Sequence, residues 1–235
     1  AQLTAGVRAD RFDLAEAIRV SPRLAAAIRL SPVLDLTAAV GRYHQQVPLV
    51  YLAAIDGNRS LSPMRADHAI VGVSWTPAPA LKITLEGYEK RYAAYPVATG
   101  IPQLTLANAG DSYDVVSALV PMRSLGQGRV RGIELFAQRQ LFEGLYWQVA
   151  LSHTRVRHVA GDGLWRRGAY DAPFSATVIA GRRFGTRWDL SMRGSVASGR
   201  PTTPVRTDLS TAQRRLVLDA ERLYTCLLYT SPSPR

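Results

Sequence analysis

Residues 186–196, TRWDLSMRGSV, alternate without interruption between Trp188, Leu190, Met192, Gly194 and Val196 on one side and Arg187, Asp189, Ser191, Arg193 and Ser195 on the other. A strand with one apolar face and one polar face divides two solvents. In a soluble sandwich the apolar face meets a second sheet; in an outer-membrane barrel it meets lipid while the polar face lines water. The chain has 235 residues and is 47% hydrophobic, yet no window approaches the ~18 consecutive apolar residues of a spanning helix. Any membrane crossing must use strands.

The same period of two recurs along the chain and predicts strands over 2–10, 23–30, 33–43, 68–76, 81–90, 129–140, 145–153, 174–181 and 186–196. Most approach the ~9–11 residues that a tilted strand needs to cross a bilayer. Short turns at 30–33, 75–80, 140–144 and 184–186 alternate with long links at 44–67, 91–128 and 154–173. That alternation is the mark of an up-and-down barrel with brief turns on one side and extended loops on the other. Structureless links of such length are uncommon in compact soluble domains. Trp75, Phe142, Tyr146, Trp147, Phe184 and Trp188 lie at the short turns, and Tyr43, Tyr88, Tyr92, Tyr170 and Phe174 where strands enter long links, so two aromatic belts are expected. Arg23, Arg29, Arg187 and Arg193 fall on polar faces, avoiding the ~2–4 kcal/mol cost of arginine at the lipid midplane. The expected fold is therefore all-β: an antiparallel up-and-down transmembrane barrel segment of about nine strands, too few to close a large barrel.

A formal net charge of +11 raises nucleic acid as a partner, but Lys82 and Lys90 are the only lysines and the arginines are scattered, without an aromatic stacking platform. Nucleic acid is not expected. Cys226 is the only cysteine, which excludes an intramolecular disulfide framework. His44, His68, His153 and His158 stand outside any HExxH pattern and no GxSxG elbow occurs, so no catalytic residue, metal or cofactor is expected and the chain reads as no enzyme. Asn58-Arg59-Ser60 reads as a loop turn. The opening AQLTAG has neither an initiator Met nor an apolar leader, so the chain is expected to be an internal part of a longer protein.

GRYHQQVPLVYLA, DGNRSLSPMRADHAIVGVSW, LKITLEGYEKRY, SLGQGRVRGIELFAQRQL and SGRPTTP follow one another over about residues 1–207. In order and spacing they resemble the barrel half of TonB-dependent outer-membrane receptors. The resemblance implies a bacterial outer-membrane location, a plug domain carrying the TonB box, and energised uptake of a scarce solute such as a ferric siderophore, cobalamin or oligosaccharide. It also implies outer-membrane lipid and lipopolysaccharide as surroundings. A passive porin-like barrel is the alternative, with a soluble β-rich binding protein behind it. Ligand contacts are expected where strands enter the long loops: Tyr43, His44 and Gln45, then Arg91 and Tyr92, then Arg200, since tyrosine offers a rigid ring and arginine a planar donor fork. After about residue 213 the alternation fails. The barrel part is expected to be 1–213, with 214–235 a non-native or disordered tail in which CLLYTSPSPR resembles translated adaptor sequence.

Overall fold

The computed structural model describes residues 1–101, 103–108, 120–217, 219, 222 and 225–228. It consists of β1 (Gln2–Phe12), β2 (Ala17–Ser31), β3 (Leu34–Gln45), α1 (Leu49–Ala54), β4 (Met64–Ala78), β5 (Leu81–Ala98), β6 (Met122–Phe142), β7 (Leu145–Val159), β8 (Trp165–Arg167), β9 (Phe174–Phe184), β10 (Trp188–Ala197), β11 (Arg200–Thr202), α2 (Thr207–Gln213) and β12 (Cys226–Leu228). Among the described residues one sheet runs β1-β2-β3-β4-β5-β6-β7-β9-β10, every pair antiparallel, with β8 added to β7. The sheet is open, with β1 and β10 at its edges.

The register sorts side chains onto two walls. One row across the sheet reads Ile28, Leu36, Val73, Leu85, Leu135, Leu151, Ala176 and Val196, each residue facing the next on the neighbouring strand. Its neighbours on the same wall include Val40, Ala69 and Val71 above and Trp75, Trp147, Trp188 and Leu190 below. These side chains are left open to the surroundings: Val71, Trp188, Leu190 and Met192 are 60%, 74%, 71% and 71% exposed. A wall this apolar and this bare is compatible with lipid, not water. The opposite wall carries Arg23, Arg29, Asp35, Thr37, Ser74, Glu86, Glu134, Ser152, Thr177, Arg193 and Ser195. Arg29 pairs there with Asp35 at 3.2 Å, and Tyr146 donates to Asp189 at 3.2 Å.

Tight turns lie at one end of the sheet: 32–33, 79–80, 143–144 and 185–187. Glu143 and Gly144 both have positive φ, 52° and 75°, the geometry of a two-residue hairpin whose twist matches its strands. The other end carries the connections 13–16, 46–63, 99–121 and 160–173. The first of these departs from the expected pattern, because β1 and β2 both extend beyond the predicted strands and meet in four residues. The same extension lengthens β5 to 18 residues and β6 to 21 residues. Those lengths exceed what a bilayer needs, so both strands continue beyond the apolar band at the long-loop end.

Buried apolar side chains gather at this end rather than between layers. Val47, Leu52, Leu61, Met64 and Met122 cluster, with Tyr51, Tyr95, Leu106 and Val120 against them. Asn58, expected in an exposed turn, is fully buried within this cap. The lower aromatic belt is present on the apolar wall, where Arg139 and Arg182 lie over Phe142 and Phe184 at 5.3 Å and 5.2 Å. Tyr43, Tyr88 and Tyr92 do not form an upper belt on that wall. Their parity places them on the polar wall, opposite Ala66, Gly132 and Gly128. Beyond residue 213 the described residues hold β12, which pairs with β11 in a separate two-stranded sheet; the remainder of the predicted tail lies mostly outside the described residues.

Candidate ligand site on the upper polar wall

Above the midline of the polar wall, four rings from three adjacent strands form a continuous ladder. Tyr43 of β3 and His68 of β4 lie 4.8 Å apart between ring centroids, His68 and Tyr92 of β5 lie 6.3 Å apart, and Tyr92 and Tyr95 lie 5.8 Å apart. The last two contacts are edge-to-face, the arrangement favoured by the ring quadrupole. The Arg23 guanidinium extends the series, 5.2 Å from the Tyr43 centroid.

The backbone makes this ladder possible at two places. Between Tyr92 and Tyr95 the register with β6 shifts, and Ala94 adopts φ 59°, so Tyr92 and Tyr95 face Gly128 and Gly126 on the same wall. Gly126 lets the two backbones approach closely at the bulge, since a Cβ there would lie 2.9 Å from the Tyr95 carbonyl oxygen; at Gly128 the Tyr92 ring would meet an added Cβ only at ordinary contact distance, 3.4 Å. His68 Nε2 is buried without a hydrogen-bond partner among the described residues.

Recesses open on either side of the ladder. One of about 380 Å³ over β1–β4 is bordered by Arg8, Arg23, Tyr43 and His68. Another of about 270 Å³ is bordered by Tyr92, Tyr95, His158 and Tyr170. Arg200 stacks over Tyr170 at 5.3 Å and so adjoins the second recess through that ring. The arrangement offers flat apolar faces, phenolic tips and guanidinium groups to one solute, which suits a ring-bearing, oxygen-rich or anionic molecule.

Of the six residues singled out in the sequence, Tyr43 and Tyr92 thus belong to one ladder, Arg200 lies over Tyr170, which borders the second recess, and Gln45 lies at the top of β3, opposite Met64. His44 and Arg91 occupy the other parity. His44 accepts or donates through Nδ1 to Ser21 Oγ at 3.1 Å, and Arg91 pairs with Glu89 on the apolar side of the sheet. Adjacent residues of a strand point to opposite walls, so Tyr43–His44 and Arg91–Tyr92 could not act as units. His68, Tyr95 and Tyr170 were missed because their proximity follows from register and the β5 bulge. No group of three or more His, Cys, Asp or Glu side chains able to hold a metal occurs among the described residues.

The family model for the β-barrel of TonB-dependent receptor-like proteins matches residues 2–215. The chain belongs to this TonB-dependent receptor family. Its fold is similar to solved receptors: the FrpB iron transporter of Neisseria meningitidis, with a TM-score of 0.62 and 14% identity over 85% of this chain and 31% of that one. The ferric-catecholate import receptor Fiu of Escherichia coli K12 gives 0.58 and 9%, over 79% and 25%. FpvAI, solved with pyocin S2, gives 0.57 and 14%, over 80% and 24%. The chain therefore spans a quarter to a third of the length of these receptors. No curated protein matches the sequence significantly. TonB-dependent receptor barrels are outer-membrane proteins, and no helix among the described residues is long and apolar enough to cross a membrane.

Proposed function

We propose that this segment supplies part of the wall and upper ligand surface of an outer-membrane receptor that imports a scarce solute, such as a ferric siderophore, cobalamin or oligosaccharide, with energy delivered through the TonB system and a plug domain. The observation that carries the ligand reading is the ladder Tyr43–His68–Tyr92–Tyr95 capped by Arg23. Such a surface favours aromatic, anionic chelates over bare sugars, and two fold neighbours are described as an iron transporter and a ferric-catecholate import receptor. Residues 1–213 are the barrel part in this reading, with 214–235 outside it. Tyr43, Tyr92 and Arg200 remain the proposed contacts, joined by His68 and Tyr95; Gln45 serves at the rim, while His44 and Arg91, on the opposite, lipid-facing wall, are left out of the proposed contact set.

The test is made on whole cells carrying the full-length protein, with a ferric catecholate, cobalamin and an oligosaccharide as probes. Tyr92→Ala combined with His68→Ala should weaken binding of the recognised probe about twofold to twelvefold, the equivalent of an aromatic pair worth ~0.5–1.5 kcal/mol. Collapsing the proton gradient should stop uptake and leave surface binding intact. Uptake that continues without the gradient would replace the receptor by a passive pore.

A further inference from the structure

A strand slipped by one residue against its neighbour exchanges its walls, but a slip of two keeps every aliphatic side chain on the apolar side. The sorting of residues onto walls therefore leaves two-residue slips open. Tight turns close that freedom for β2–β3, β4–β5, β6–β7 and β9–β10, whose links lie at 32–33, 79–80, 143–144 and 185–187. Three joins have no such turn: β3–β4, β5–β6 and β7–β9 are connected through 46–63, 99–121 and 160–173, with β8 inside the last. Two residues more or less in a connection of that length hardly alter its closure entropy.

At each of these joins a side chain of the earlier strand faces a glycine of the later one on the polar wall. The opposed pairs are Thr37–Gly72, Tyr88–Gly132 and Tyr146–Gly181. A Cβ added at Gly132 would run into the Tyr88 ring and hydroxyl, and one at Gly181 into those of Tyr146. At Gly72 it would lie 2.9 Å from Thr37 Oγ1, with Glu86 Cγ of β5 at 3.1 Å. Hydrogen bonds hold the three side chains in these positions. Tyr88 crosses β6 to share a hydrogen bond with Thr154 of β7 at 2.9 Å, Tyr146 crosses β9 to donate to Asp189 of β10 at 3.2 Å, and Thr37 donates to the Gly72 carbonyl at 3.3 Å. Elsewhere in the sheet Gly6, Gly87 and Gly194 have nothing within 4 Å of an added Cβ, and the atoms nearest Gly41 all belong to Tyr43 of its own strand.

We infer that these three pairs are register keys, which set at the long-loop joins the alignment that tight turns set at the others. A two-residue slip would move Thr37 onto Ile70 or Ser74, Tyr88 onto Val130 or Glu134, and Tyr146 onto Ile179 or Arg183, each with a side chain where the key must lie. A ring laid on a cross-strand glycine also supplies the pair contact that the glycine lacks. The keys hold the aromatic ladder as well, because Tyr43 and His68 stand on opposite sides of the β3–β4 join. The inference itself needs no ligand.

The experiment uses the full-length protein carrying Cys226→Ser, folded into phosphatidylcholine vesicles, and reads alignment from disulfides on the apolar wall of the folded barrel. Leu85→Cys is combined with Leu135→Cys for the observed register and with Ile133→Cys or Ala137→Cys for the two slips. Val149→Cys is combined likewise with Val178→Cys, and with Ala176→Cys or Ala180→Cys. Only Cα atoms about 4.4–6.8 Å apart can be bridged, so the diagonal pairs report slips. Tyr88→Ala and Gly132→Ala should each raise the slipped share at β5–β6 about fivefold, and Tyr146→Ala and Gly181→Ala should do so at β7–β9. Gly87→Ala and Gly194→Ala should leave both shares at the wild-type level. Slipped shares unchanged in the four key variants, or raised equally by the two control glycines, would overturn the keys. Should Tyr88→Ala fold too poorly to count, Tyr88→Gly combined with Gly132→Tyr decides. Recovered folding with the observed cross-link supports the key, and failure equal to that of Tyr88→Ala overturns it.

Discussion

At Asn58 a single amide holds three backbone groups from two parts of the chain. Its Nδ2 donates to the Tyr51 and Val120 carbonyls at 3.1 Å and 3.0 Å, and its Oδ1 accepts the Met122 N–H at 2.8 Å, with Asn58 itself at zero exposure. Neither alanine nor leucine can replace those contacts, and each orphaned buried group costs about 1–3 kcal/mol. Asn58→Ala should therefore loosen the 46–63 connection from the start of β6, seen as faster hydrogen exchange at Met122 and cleavage within 46–63, while the strands below keep their protection. Unchanged exchange at Met122 would show that Asn58 does not hold the cap. Asp162 gives a second expectation at this scale, outside the spanning strands. Arg166 donates to both of its oxygens at 2.9 Å and 2.6 Å and holds the carboxyl below its ordinary range, with burial opposing. The unfolded carboxyl titrates near ~3.9. Its stabilisation is thus full above that value and is lost as pH falls through the lower folded one. Proteolysis at 160–164 should rise only at strongly acidic pH, and Asp162→Asn should make susceptibility at neutral pH resemble that of the acidified wild type.

Among the elements, the β6–β7 hairpin is the most constrained. A Cβ on Gly144 would meet the Arg183 carbonyl oxygen at 2.7 Å, and φ 75° is itself unfavourable for a side chain. Gly144→Ala should destabilise the hairpin by more than ~1 kcal/mol, read as a lower temperature for the loss of the folded band on gels, whereas Gly163→Ala in open space at φ 73° should do less. Equal effects would deny the close approach its role. The central halves of β2 to β7, β9 and β10 were legible in the sequence because one wall is aliphatic and the other polar; β8 fell inside the expected link 154–173. The upper parts of β5 and β6, residues 91–98 and 122–128, were not, since the bulge around Ala94, Pro96 and the glycines at 126 and 128 interrupt the alternation there. Tyr43 and Tyr92 were legible as strand-to-loop tyrosines. Their union through His68 was not, because register between strands leaves no local trace.

Across the whole molecule, the two ends differ in what an impermeant reagent should reach. In the full-length protein on intact cells, cysteine at Gly163 should label, and cysteines at Glu143 and Gly185 should not, given the long connections at one end and the tight turns at the other. Asn58 is a poor reporter for the long-loop side, because it is buried and its replacement would itself loosen the connection. Labelling at Glu143 and Gly185 with none at Gly163 would invert the orientation.

Every strand of the main path pairs with the strands next to it in the chain apart from the small insertion of β8 between β7 and β9. Such a meander needs no distant segment to arrive before a given hairpin can form, so closure entropy stays small at each step. The wall can consequently be laid down one hairpin at a time, with the two-residue links at 32–33, 79–80 and 143–144 the cheapest of its closures.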